Sequence, residues 1–102
     1  MTKYRIDRFE LPASAKEEFL GAVSHVHELL RSQPGFEHDL LVEEPLPDGR
    51  LHLLTVAAWR DDEAMAGARA AIAADRAVTG FEPQALMARL GVTPEFGEYV
   101  PV

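Results

Sequence analysis

The sequence predicts an α+β fold with elements in the order β-α-β-β-α-(α)-β. Three observations carry this. Two amphipathic helical stretches alternate with runs of strand-type alternation. The centre of the chain, Pro34–Trp59, reads as a β-hairpin around Asp48-Gly49. That hairpin is apolar on both sides. An antiparallel sheet with both long helices on one face is the split βαβ arrangement of ferredoxin-like subunits.

Taken in order, Tyr4–Phe9 alternates as a first strand, with Tyr4 and Ile6 on one side and Arg5, Asp7 and Phe9 on the other. Ser14-Ala15-Lys16-Glu17 fits a capping box, so a helix is expected from there to about Gln33, stopped by Pro34-Gly35. Phe19, Ala22, Val23, Val26, Leu29 and Leu30 form its apolar face. Phe36–Glu44 and Leu51–Trp59 are the hairpin strands. Asp48-Gly49 suits a two-residue type I′ loop, which needs positive φ at both centres. That loop sets Val42 opposite Thr55, Leu40 opposite Ala57 and His38 opposite Trp59. Phe36, His38 and Leu40 then share a face with Ala57 and Trp59, and Leu41, Leu54, Val56 and Ala58 take the other. Asp61 is the expected N-cap of a second, alanine-rich helix from Asp62 to about Arg76. Its shallow stripe of Ala64, Met65, Ala68, Ala71 and Ile72 is flanked by Arg69 and Arg76. Pro83 and Gly91 bracket a short third helix, and Phe96–Val100 closes the sheet.

A chain of 102 residues suits one domain, spanning 1–102. Ten lysines and arginines face 17 acidic residues, a net charge of −7, which argues against nucleic acid and anionic membranes as partners. With no cysteine, disulfides, thiolate nucleophiles and cysteine-held metals are excluded. Met1–Glu10 has no basic stretch leading into an apolar run, so no secretory leader is expected and the protein is placed in the cytoplasm. His25 and His27 diverge on a helix, and His25 with Glu28, which share a face, are a single pair on an exposed surface, so no metal site is expected. An apolar sheet face left bare by the helices predicts a homodimer with sheets stacked face to face.

Several residues carry a family resemblance across nearly the whole chain. Pro34-Gly35-Phe36 opens the second strand, Trp59 ends the third, Asp61-Asp62-Glu63-Ala64 opens a helix, and Gly91-Val92 and Gly97-Glu98-Tyr99 lie in the tail. With the element order, these resemble the antibiotic biosynthesis monooxygenase family of dimeric α+β barrels. The resemblance implies a cofactor-independent oxygenase acting on quinol- or anthrone-like aromatic polyketides with molecular oxygen. A non-oxidative polyketide cyclase or isomerase, or a ligand-binding module without turnover, are the alternatives within related barrels. The family's haem-degrading branch has a histidine ten residues beyond the tryptophan and an asparagine in the first strand. Here Arg69 and, near the second point, Asp7 stand instead, so haem degradation is not expected.

Oxygenation without a cofactor needs a base for the phenol, an apolar pocket and a cation near the developing anion. His38 is the expected catalytic base, because imidazole exchanges protons near neutral pH and its strand face is otherwise apolar. The competing reading is a core histidine satisfied by a carbonyl or water. Trp59 and Phe36 are expected to wall the aromatic substrate, and Arg69, or Arg76, to neutralise a phenolate. His27 borders the apolar face of the first helix, within reach of a cleft.

Overall fold

Two ten-residue strands form the central hairpin, and helices form where the apolar spacing changes from two to between three and four. The computed structural model describes all 102 residues. The elements are β1 (Lys3–Pro12), α1 (Lys16–Arg31), β2 (Phe36–Pro45), β3 (Arg50–Trp59), α2 (Asp62–Thr79), α3 (Pro83–Leu90) and β4 (Thr93–Tyr99). The strands lie in the order β2-β3-β1-β4 with every neighbouring pair antiparallel. This is the ferredoxin-like α+β fold that the element order predicts.

The helix ends follow local chemistry with one exception. Asp61 caps α2, its side chain accepting from the Ala64 N–H at 2.9 Å. Pro83 opens α3, and Gly80 and Gly91 end α2 and α3 in the left-handed conformation. Ser14 caps nothing. β1 runs on to Pro12 because Leu11 is wholly buried, and the chain then turns through Ala13–Ala15 in a short 3₁₀ turn. Ala15 becomes the N-cap of α1, without a side-chain bond.

The hairpin register differs from the expected one at both ends. The Leu46 N–H donates to the Arg50 carbonyl, so the loop is Pro47-Asp48-Gly49, with Gly49 at φ +77°. A three-residue loop ending in a left-handed glycine shifts the pairing by one residue relative to a type I′ turn. Leu40 therefore faces Val56 and Val42 faces Leu54. At the far end a bulge between Phe36 and His38 sets Phe36 opposite Trp59 and His38 opposite Ala58. The expected pairing of His38 with Trp59 does not hold. The bulge leaves Phe36 beside Trp59 toward the helices and turns His38 to the open face. Leu41 likewise moves to the helix side, opposite the buried Thr55.

Two apolar clusters hold the helices to the sheet. Phe9, Leu11, Ala15, Phe19, Leu51, Leu53 and Val92 form one. Leu30, Ala57, Trp59, Ala64, Met65 and Ala68 form the other. The molecule is only 17 Å along its shortest axis, one sheet and one helix layer, so the second sheet face stays bare. That face carries Leu54 and Val56 as expected, joined by Leu40 and Val42, which are 52% and 42% exposed. His38 meets Tyr4 edge-on there at 6.1 Å, and Ala58, paired with both residues, is fully buried between them. No helix is long and apolar enough to cross a membrane.

Candidate active site

The two clusters are separated by a polar belt in the sheet. Across the helix-facing side, one row runs Leu41, Thr55, Asp7, Phe96, and the next runs Asp39, Ala57, Arg5, Glu98. The neighbouring rows place Leu53 with Phe9 and Phe36 with Trp59. Thr55 and Ala57 are the short side chains at the centre, and they leave space unfilled beneath the helices there. The result is a cavity of about 810 Å³ between sheet and helices, a size that suits a drug-sized organic molecule. Asp7, Thr55 and Trp59 lie in its floor, Val26 and His27 of α1 and Ala68 of α2 in its walls.

Two pairs of charged groups lie in this belt. The Arg5 Nε donates to Asp7 Oδ1 at 2.6 Å, and the Arg5 guanidinium lies 5.0 Å over the Phe96 ring. Burial pushes the Asp7 carboxyl above its usual range; the Arg5 bond and charge and the nearby His27 pull the other way without offsetting it. On the other side, His27, only 5% exposed, has Nδ1 3.0 Å from Asp39 Oδ2. The Arg31 Nε donates to the same oxygen at 2.9 Å. Burial works against ionised Asp39 too, but the bonds and charges of Arg31 and His27 outweigh it and hold that carboxyl below its usual range.

An ionised carboxylate only accepts, so the Asp39 bond requires the proton of His27 on Nδ1. In the neutral form of the ring, Nε2 then carries the lone pair. No buried side-chain nitrogen or oxygen lacks a partner, and Nε2 has none, so Nε2 is the part of the ring that meets accessible space. His27 is also one of the residues that line the cavity.

Of the residues singled out from sequence, Trp59, His27, Arg69 and Arg76 line this one space. Arg69 is bonded to Glu98 and to the Met65 sulfur. Phe36 stands behind Trp59, ring to ring at 5.6 Å, and is not a lining residue. His38 lies outside the cavity, on the opposite face of the sheet. Sequence reasoning missed Arg5, Asp7, Thr55 and Asp39 as members of one site. The available signal was parity: Arg5 and Asp7 share the strand phase of the core residues Phe9 and Leu11. No group of three or more histidine, cysteine, aspartate or glutamate side chains is arranged to hold a metal ion.

The model of the antibiotic biosynthesis monooxygenase family matches residues 4–79, three-quarters of the chain. This protein belongs to that family. Among solved structures it is similar to SnoaB, a cofactor-independent oxygenase from Streptomyces nogalater, in a single-site mutant form. Identity is 23% and the TM-score 0.72, over 98% of this chain and 92% of that one. It is also similar to a haem-degrading protein of Mycobacterium tuberculosis in a haem-free, cleaved form, at 27% identity and TM-score 0.54, over 68% and 78% of the two chains. A third is a single-site mutant of MhuD with two manganese protoporphyrin IX molecules per active site, at 24% identity and TM-score 0.68, over 98% and 94%. Among curated proteins no sequence matches. The antibiotic biosynthesis monooxygenase domain thus takes in β1 to α2 and, with them, every charged residue of the belt except Glu98.

Proposed function

We propose that the protein is a cofactor-independent monooxygenase of quinol- or anthrone-like aromatic substrates, with His27 as its general base. The observation that carries this reading is the Asp39–His27 bond in the wall of an apolar cavity, which leaves Nε2 as an acceptor. Nε2 takes the phenolic proton, and ionised Asp39 stabilises the imidazolium, since a carboxylate behind a histidine fixes its tautomer and offsets its charge. The anion gives an electron to molecular oxygen, and the two radicals combine to a hydroperoxide on carbon. Loss of water turns that carbon into a carbonyl: a methylene and O2 become a carbonyl and H2O, a four-electron oxidation matched by four-electron reduction of oxygen. His27 returns the proton it took to the departing hydroxide, so that water leaves. Trp59, backed by Phe36, offers a ring face to the substrate, and Arg69 lies beside the developing charge.

Haem degradation has less support, because the helix position ten residues beyond Trp59 is Arg69, tied to Glu98. The test is oxygen uptake with a panel of quinols and anthrones. Turnover that consumes one O2 per product carbonyl supports the reading. Product formed equally under nitrogen replaces it with a non-oxidative cyclase or isomerase, and saturable binding without conversion replaces it with a binding module.

The assembly belongs to the same proposal. The bare sheet face, with Leu40, Val42 and Tyr99 between 42% and 54% exposed, suits a second copy of this chain stacked on it as a homodimer.

A further inference from the structure

The cavity has a charge unlike that of the chain around it. Acidic residues outnumber basic ones 17 to 10 overall, yet Arg5, Arg69 and Arg76 line the cavity against Asp7 as the one acid. Two of these arginines are already neutralised, Arg5 by Asp7 and Arg69 by Glu98. The seven basic side chains outside the cavity each reach a carboxylate as well. Among the lysines and arginines, Arg76 alone has neither an ion pair nor a side-chain hydrogen bond. In a chain with so many carboxylates, the one cation left free is on the wall of the one large apolar cavity.

Its position fits a particular task. Arg76 lies in the last turn of α2, next to the loop that leads to α3. There it lines the cavity with Phe81 and with Gln84, whose amide makes no hydrogen bond. Arg76 and Gln84 are exposed residues, so this end is the mouth, away from the buried His27. A single guanidinium offers a planar fork that matches one carboxylate. A dianion such as phosphate asks for more donors, and would add repulsion from Asp7.

We propose that the substrate is an aromatic acid whose carboxylate is received by Arg76 at the mouth, with the ring system extending inward toward Trp59. This rests on the reading of the cavity as an aromatic-substrate site and adds the charged handle that orients the ring. Arg76 is then a specificity-determining residue. Its contribution weakens with salt, because the pair is formed at an exposed site.

Calorimetric titration of the full chain with anthraquinone-2-carboxylate and with its methyl ester tests this without requiring turnover. The acid is expected to bind about tenfold to a hundredfold more tightly than the ester, the range of a charge-assisted hydrogen bond. Arg76→Gln should bring the acid down to the affinity of the ester and leave the ester unchanged, whereas Arg76→Lys should keep part of the preference. Equal affinity for acid and ester in the wild-type chain overturns the proposal while leaving the oxygenase reading in place. So does an Arg76→Gln variant that weakens both ligands alike. Binding of neither compound overturns it together with the aromatic-substrate reading.

Discussion

Asp7 and Asp39 face the same layer of the molecule, and their surroundings drive their carboxyls in opposite directions. For Asp7 the folded value lies above the unfolded one, so its contribution favours the native state in acid and is lost as pH rises through the folded value. Asp7→Asn removes that penalty. Thermal unfolding at pH 7 to 8 should show the variant at least as stable as the wild type; a clear loss of stability would mean that the bond to Arg5 outweighs the cost of burial. Asp39 has the reverse sign. Its contribution is present above the ordinary carboxylate value of 3.8 and is lost as pH falls through the lowered one. Denaturant titrations between pH 3 and 6 should therefore show stability falling in acid for the wild type and a flatter profile for Asp39→Asn. An equally steep profile in the variant would remove the Asp39 contribution.

At the scale of elements, the strands, helices and their order were legible because each has a local cause: alternation, a 3.6-residue stripe, Asp61 as a cap, Pro83 and Gly91 as start and stop. The hairpin register was not legible. Asp-Gly serves a two-residue loop and, with Pro47, a three-residue loop equally well, and the bulge at Glu37 leaves no mark in composition. The candidate site inherited that error, because a one-residue slip exchanges the two faces. His38 and His27 were both visible, and only the tertiary packing of α1 on β2 shows which has a carboxylate behind it. The turn before β2 was read correctly as a stop, for a reason that the sequence alone does not reveal. Gly35 sits at φ +82°, and a Cβ there would lie 2.4 Å from the Ala64 Cβ at the start of α2. Gly35→Ala should cost about 1–3 kcal/mol in denaturant unfolding through strain and this contact. A neutral substitution would show that the turn and α2 can separate freely.

For the whole molecule, the thin two-layer form and the family membership meet at the bare sheet face. Sedimentation equilibrium at micromolar concentration should give twice the chain mass, and Val42→Asp with Leu40→Asp should shift it to the monomer. A wild-type monomer would leave that face unexplained by self-association. The central claim, however, concerns the other face, where acid–base chemistry is placed at His27 inside the cavity and not at His38 outside it. Oxygen uptake with an anthrone measured on the wild type, His27→Gln and His38→Gln separates these two residues directly. His27→Gln should lower the rate by about 10²–10⁴-fold, the usual contribution of a positioned base, with His38→Gln close to the wild type. The opposite ranking, with His38→Gln inactive and His27→Gln unimpaired, would contradict the account.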